Sequence, residues 1–518
     1  MNALIRDPAT AERSEYDLII IGGGIYGAML LLEAGFRGLR SLLIEQNDFG
    51  GATSYNSLRI VHGGFRYLQS LDLRRFFESV GERQWFLKTF PDLIQPLPCL
   101  MPLYGRGAKR RTVLSVALQM NDILSFQRNQ GVPKAQQLAS GKTISAERVK
   151  SLFPQVDTAG LQSGAVWFDA SMPDSQRVLM QVLRWGAALG GRALNYVKAA
   201  ALLSENGKVT GIRALDTISG QPYTYRTSVV VNATGPWSGA IAAKLDPLLA
   251  QNSPSTADSI FRPSLAWNVL FNRPALSDHA LAVAPNQPNA QTYFLHPWKQ
   301  RLLAGTIHNC WNHSPDVPPQ PTAEQLETFI ENLNQAIPTL ALKRSEVVRV
   351  LAGILPVKQS GTANLASREV IVDHQQQGGT AGFYSVAGVK FTTSRLVAER
   401  ALSQMFPNRQ RLAESLCSCS IAREAAQQPS QGLGKFDYSW RPTPGDFAWM
   451  EALKEIVIAE SVVHLDDLVL RRTSLGDNPK RGLACAQLLS QWLGEQLGWD
   501  EEQRQAELTQ VTSLLMPT

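Results

Sequence analysis

The chain is short of cysteine, of charge and of long apolar runs, and each shortage excludes something. Five cysteines in 518 residues (Cys99, Cys310, Cys417, Cys419, Cys485) are too few and too scattered for a disulfide framework, and they fit a reducing compartment. Cys417 and Cys419 lack the two-residue spacer of a zinc knuckle and no second Cys or His pair accompanies them, so no metal site is expected. The most apolar uncharged stretch, Leu18 to Leu32, is too short to span a bilayer and is broken by four glycines. The N-terminal MNALIRDPATAERSEYD has no apolar core of a secretory signal. A cytoplasmic protein is therefore expected, with contact at a membrane surface left open. Only 18% of residues are charged, and 50 Lys and Arg against 44 Asp and Glu leave +6. That balance is too dilute for nucleic acid, yet it suits a small anionic substrate. Apolar residues reach 44%, enough for a large core in roughly two to four domains.

What is present begins with Tyr16–Ile21 (YDLIII), an apolar run expected as a buried parallel strand. Gly22, Gly24 and Gly27 follow in G-x-G-x-x-G spacing, and AMLLLEAGF then reads as a helix. In that setting Gly22 permits the tight turn, Gly24 lets backbone approach a pyrophosphate at the helix N-terminus, and Gly27 lets helix and strand pack closely. A second strand, Ser41–Ile44, ends at Glu45, whose carboxylate stands where ribose hydroxyls are bound. A third strand, Thr227–Val231, runs into Ala233-Thr234-Gly235. Further on, Gly388-Val-Lys390-Phe-Thr392 opens the helical SRLVAERALSQM, a glycine turn that aims N–H groups at negative charge. Three such elements spread along the chain point to FAD, a cofactor held along its whole length, over NAD.

Gly51-Ala-Thr53-Ser54, Ser57 and then Val61-His62-Gly-Gly-Phe-Arg66-Tyr-Leu68 resemble the signature of FAD-dependent glycerol-3-phosphate dehydrogenases, within the wider group of D-amino-acid and glycine oxidases. Phe168-Asp169, NATGPW, Pro297-Trp298, Gly305-Thr306, Arg368 and GVKFTT match in order, and LDDLVLRRT with LGWDEE resembles that family's C-terminal helical domain. The resemblance implies hydride transfer from a secondary alcohol to flavin, with quinone or O2 as electron acceptor. It also implies contact with the cytoplasmic face of the inner membrane, where respiratory members sit. A homodimer is compatible with it.

Thr53, Ser54 and Ser57 put hydroxyls near the cofactor or else cap turns. His62 and Arg66, four apart, share a face if a helix carries them; His62 then orients substrate or takes a proton, and Arg66 grips an anion by its fork. A satisfied structural histidine is the alternative. Arg368 and Lys390 are the other candidate anion and flavin contacts, a surface lysine being the alternative for Lys390. The family's G-x-R-P reads Gly353-Ile-Leu355-Pro356 here, its G-T-T-D reads Gly305-Thr-Ile-His308, and Leu265 stands in a stretch that is basic-Gly-Ser/Thr-His in the family. The flavin site thus reads as intact and the substrate site as edited, which opens a hydroxy acid, an amine or amino acid, or another metabolite as substrate.

The expected fold class is α/β: a discontinuous FAD domain of the two-dinucleotide-binding type (14–60, 150–245, 350–405), an α+β substrate domain (61–149, 246–349) and a helical C-terminal domain (436–518). Alternating runs at Ser264–Phe271 and Gln291–Pro297 suggest an antiparallel sheet over the flavin, Thr322 starts a helix to about Ala336, and 427–435 reads as a linker. Arg106–Arg111 (RGAKRR) precedes VLSVALQMNDILSF, either a lipid-resting segment or an ordinary helix with a basic start.

Overall fold

Isoleucine-rich runs ending in glycine become buried parallel strands, because both faces must be covered. In the computed structural model, which describes residues 3–105, 110–252, 260–287, 290–412 and 448–516, the first run pairs as the strand Leu18–Ile21, every residue of it buried. The Cys417–Cys419 pair, the stretch 427–435 and most of the basic cluster 106–111 lie outside the described residues. Across the sheet the order is Val370–Asp373, Phe383–Ala387, Val230–Asn232, Leu18–Ile21, Ser41–Ile44 and Arg192–Leu194, parallel throughout except for the first pair.

Period-two alternation decides which layer each side chain joins. Leu18, Ile20 and Leu43 pack against the helices Ile25–Gly35, Ser175–Ala188 and Ser394–Met405. Ile19, Ile21 and Ile44 face the other way, onto a three-stranded antiparallel sheet that contributes Val197, Val209, Ile212 and Tyr225. The dinucleotide unit is therefore a three-layer sandwich.

A second, larger sheet runs in the order Val347–Pro356, Pro263–Pro274, Arg301–Cys310, Tyr293–Trp298, Ala280–Val283, Gln95–Leu103, Ser163–Ser171 and Ile60–Val61, with Lys142–Ser145 added against Ser163–Ser171. The expected alternation appears at Pro263–Pro274. Leu265, Trp267, Val269 and Phe271 pack with Leu326, Phe329 and Leu333 of the helix Ala323–Ala336, which opens on a Thr322–Gln325 capping box. Two strands correct the expected boundaries. Ser163–Ser171 and Val347–Pro356 pair in this large sheet, whereas the boundaries at 150 and 350 put them with the FAD layer. Their sequences are apolar enough for either sheet, and only partners 60 to 93 positions away decide between them.

The C-terminal helices Ala448–Ala459, Pro479–Leu497 and Glu501–Leu515 enclose a core of their own, with Leu465, Leu489, Leu493, Val511 and Leu515. They join the dinucleotide unit through ions. The wholly buried Arg472 forks onto both Asp48 oxygens at 2.7 Å, and Arg177 forks onto Glu460 at 2.8 and 2.7 Å. Burial alone would raise both carboxyls. Arg177 and Arg472 outweigh it at Glu460, and Arg472 and Arg471 outweigh it at Asp48, so both are held below their ordinary values of 4.5 and 3.8. Carboxyls depressed on folding stabilise the docked state above those values, and the contribution is lost as pH falls below them. Acidification from roughly pH 5 to pH 3 should therefore release the C-terminal helices before the two sheets open. Hydrogen exchange along a pH series reads this, and Glu460→Gln should show the loosened helices already at pH 7. Simultaneous loss of both regions would count against the interface as the acid-sensitive element.

Candidate functional site

Where the two sheets meet, a cleft of about 1020 Å³ runs from Glu45 at one end to Lys390 and Leu355 at the other. Glycine shapes its floor. Gly22 sits at φ +109°, and a Cβ there would lie 2.7 Å from the Ala233 carbonyl oxygen. A Cβ on Gly27 would lie 1.9 Å from the Gly22 oxygen, so strand turn and helix touch backbone to backbone. Gly24 is the N-cap of the helix Ile25–Gly35 and opens that N-terminus to the cleft, while the Ser54 hydroxyl accepts from the Ile25 N–H at 3.0 Å.

Glu45, Thr53, Ser54, Ser57, Ala233, Thr234, Gly235, Gly388, Lys390 and Thr392 all line this cleft with Gly22 and Gly24, and Gly27 supports it from behind. Glu45 accepts from the Gly23 N–H at 2.6 Å and from Asn47 at 2.9 Å; burial nonetheless raises its carboxyl above the ordinary range. The Thr53 hydroxyl donates to the Ile354 carbonyl at 3.1 Å, which ties the hydroxyl loop to the large sheet. Ser57 accepts from the Arg59 N–H at 3.3 Å, the turn-capping alternative, while still facing the cleft. Thr234 donates to the Asn232 side chain at 2.7 Å.

One residue that sequence reasoning passed over organises the far end. The Tyr26 hydroxyl donates to the Lys390 carbonyl at 2.7 Å and accepts from the Lys390 N–H at 3.1 Å. A Cβ on Gly388 would collide with its ring at 2.0 Å. Tyr26 occupies one of the unspecified positions of the glycine motif and its partner lies 364 residues on, so no local pattern announces it. The Lys390 ammonium lies 4.1 Å over the Tyr67 ring. Burial, and after it the Arg66 charge, lowers its pKa to about 8.

Three expectations need correction. His62 and Arg66 do not share a helix face: His62 follows the strand Ile60–Val61, the helix Phe65–Gln69 carries Arg66, and Gly64 between them is left-handed at φ +82°. His62 lines the cleft instead, its Nδ1 3.7 Å from the Asp169 carboxylate and its ring edge-on to Phe294. Asp169 is itself fixed by the Gly63 N–H at 2.6 Å and by Arg83 at 3.0 Å; burial would raise it, but His62 and Arg83 hold it at about 2. Arg368 is exposed and lines a small neighbouring hollow with Arg75, Glu78 and Lys390, outside the cleft lining. Leu265 points into the core against Phe329 because its neighbours Ala266 and Asn268 take the cleft-facing register. Leu355 does line the cleft. His308 is near enough to Arg66 to feel its charge; burial chiefly, then Arg66, lowers it to about 4, so its ring is neutral at pH 7. Asn268 and Thr306, bonded at 2.8 Å, add a polar pair to the same wall. Among the described residues no group of three or more His, Cys, Asp or Glu is placed to hold a metal ion.

Comparison with known proteins bears on what fits this cleft. A family model described as FAD dependent oxidoreductase matches residues 17–403. A glycerol-3-phosphate dehydrogenase of Synechocystis sp. is 29% identical over 76% of this chain and 70% of its own. Glycerol-3-phosphate dehydrogenase 1 of Mycobacterium tuberculosis is 30% identical over 76% and 74%. The fold matches the glycerol-3-phosphate dehydrogenase of Bacillus halodurans complexed with FAD at a TM-score of 0.70, with 18% identity over 99% of this chain and 98% of that one. FAD fits the residues present: a backbone cradle that any Cβ would fill, a carboxylate at one end and a half-buried cation at the other.

Replacing the Glu45 carboxylate tests that fit. Glu45→Ala should weaken FAD retention by roughly tenfold and lower the melting temperature of the loaded protein, because bound cofactor stabilises the fold by mass action. Flavin released on heat or acid precipitation, together with equilibrium titration, measures it. Unchanged occupancy would remove Glu45 from the site.

Proposed function

The chain belongs to the FAD-dependent oxidoreductase family, and on that premise we propose that it oxidises a secondary alcohol carbon of a small anionic substrate to the ketone. The observation that carries this reading is half-buried Lys390 lining the same cleft as His62, with the exposed Arg66 just outside the lining and near enough for its charge to be felt at Lys390. Flavin, when bound, supplies the hydride acceptor. The protein's share is binding and proton handling. Lys390 and Arg66 hold the anionic group. His62, turned by the Asp169 carboxylate that Gly63 and Arg83 keep ionised, accepts the hydroxyl proton at the ring nitrogen facing away from Asp169. Leu355 lines the same cleft and adds no charge, and His308, near Arg66, is neutral at pH 7.

That wall narrows the substrate. Where the resembling family carries an arginine, Leu355 presents an isobutyl group, and one lost charge-assisted contact costs on the order of 1.5–3 kcal/mol. A monoanion such as a carboxylate, with an apolar body against Leu355, suits the cleft better than a phosphate dianion. Glycerol 3-phosphate should be turned over weakly, and Leu355→Arg should improve it by roughly tenfold per 1.4 kcal/mol regained. Anaerobic mixing with polyol phosphates, hydroxy acids and amines identifies the reductant by bleaching of the flavin band. Efficient oxidation of glycerol 3-phosphate by the unmodified protein, at low KM, would place Leu355 away from the anion.

Lys390 gives the site a pH signature. Its pKa of about 8 means that its charge is lost as pH rises through that value, so KM for an anionic substrate should climb above pH 8. Lys390→Arg, which stays protonated, should flatten the climb.

Among the described residues no helix is long and apolar enough to cross a membrane. We propose instead that one face rests on lipid and that the electron acceptor is a quinone held there. The helix Arg111–Leu124 turns Val113, Val116, Met120 and Ile123 outward, Ile123 being 70% exposed, and Phe126 just beyond it is 75% exposed. Leu124 packs on the cluster of Phe76 and Val80, which brings Leu71 and Phe77, also exposed, to the same side. Exposed apolar side chains gathered on one side in this way bury favourably at the acyl boundary. The double variant Ile123→Glu, Phe126→Glu should lose co-sedimentation with anionic vesicles while flavin reduction by substrate is retained. Equal sedimentation of both forms would refute the docking face.

A further inference from the structure

The large cleft is not closed by the two sheets alone. At its Glu45 end the outer wall comes from the C-terminal helical domain: His464, Asp466, Arg471 and Gln510 line it opposite Tyr196–Ala199 and Glu45–Asp48. These side chains are held in place by a connected set of bonds. Arg471 is clamped between Asp48 of the dinucleotide unit and Asp466 and Asp467 of its own domain, the last at 2.7 Å. The Tyr196 hydroxyl donates to Asp467 at 2.6 Å, and the His464 ring stands edge-on to the Tyr196 ring at 4.8 Å. His464 Nδ1 pairs with Glu507 at 2.6 Å, and the Gln510 amide donates to Asp466 at 3.3 Å. Glu45 and Asp48 are three residues apart on one loop. That loop is fastened to the next strand, where the Val197 N–H donates to the Glu45 carbonyl at 2.7 Å and the Tyr196 N–H to the Asn47 carbonyl at 3.1 Å.

We propose that the C-terminal helical domain completes the adenosine half of the cofactor site, so that nucleotide binding and docking of this domain stabilise one another. The inference rests on the FAD reading of the cleft and adds a partner to it. The ligand it concerns is an adenosine diphosphate moiety. The aromatic rings of Tyr196 and His464 offer apolar edges to a purine, and the amide of Gln510 with the carboxylate of Asp466 offers a donor and an acceptor to its exocyclic and ring nitrogens. Because Asp48 and Glu45 share a loop, an undocked domain frees the loop that carries the ribose carboxylate. By linkage, a nucleotide that favours the ordered loop favours the docked domain to the same extent.

Fragments of the cofactor separate this from a contact that merely supports the fold. ADP reaches only the adenosine half of the cleft, and FMN reaches only the half near Lys390. With full-length apoprotein, ADP should protect residues 448–516 from protease and from hydrogen exchange, whereas FMN should leave them unprotected. Arg471→Ala risks undocking the domain outright, so the decisive variants are Gln510→Ala and His464→Ala. Gln510 is exposed, and its side chain bonds only to Asp466 among the described residues. Each should weaken ADP and FAD by roughly three- to tenfold with FMN affinity unchanged. FAD that binds the unmodified chain tightly and ignores both substitutions would overturn this inference alone. Failure of the unmodified chain to take up FAD would overturn the cofactor reading and this one with it.

Discussion

The backbone contact between Gly22 and Gly27 is the constraint from which the rest of the site follows. With a Cβ at Gly27 only 1.9 Å from the Gly22 oxygen, the helix Ile25–Gly35 lies against the turn as closely as two main chains allow. That approach points the helix N-terminus into the cleft. It also sets Tyr26 at the angle from which its hydroxyl takes both polar groups of the Lys390 peptide. The position of Lys390 is thereby tied to a packing contact made far earlier in the chain, around Tyr26. A side chain at Gly388 would break the same link from the other direction, through the Tyr26 ring.

The large sheet contributes by register. Along Pro263–Pro274 the odd positions bury Leu265, Trp267, Val269 and Phe271 against the helix Ala323–Ala336, which obliges the even positions Ala266 and Asn268 to face the cleft. Small or polar residues there leave volume for a substrate. Gly353, on the paired strand, makes room for Thr53 instead, which packs directly on it. Chain tracts more than 300 residues apart meet at this point: the Thr53 hydroxyl both donates to and accepts from the Ile354 backbone.

Much of this was legible in the sequence where a signal is local. The glycine spacing, the strand Ser41–Ile44 ending at Glu45, the helix after Thr322 and the helix Ser394–Met405 all carry their cause within a dozen residues. What the sequence hid depends on distant partners. The strand Ser163–Ser171 reads as apolar and could join either sheet until its pairing with Gln95–Leu103 is known. Helical spacing misled at His62 and Arg66, because a single left-handed Gly64 resets the chain direction between them. Leu265 was misplaced by one register step, which in a strand moves a side chain from pocket to core. The role of Tyr26 had no sequence signal, since a tyrosine at an unspecified motif position gains meaning only from a turn 364 residues away.

Charge along the cleft supplies its polarity. At the Glu45 end the carboxylates Glu45, Asp48 and Asp466 outnumber Arg471, and Asp48 and Asp466 are bonded to that guanidinium. What this end offers is therefore hydrogen-bond acceptance by Glu45, which suits hydroxyls, and little net attraction for an anion. At the other end Arg66 is close enough for its charge to be felt at Lys390 and at His308, and His308 adds no charge at neutral pH. A half-buried cation such as Lys390 is stabilised by an anion beside it, so on the proposed reading an anion bound at this end would be favoured. A long ligand with hydroxyls at one end and a site of developing negative charge at the other has only one favourable orientation here. The glycine-lined helix N-terminus between the two ends then meets its pyrophosphate. On the proposed assignment of the two ends, this gradient and the packing of Gly22 against Gly27 together set the direction in which the cofactor would lie.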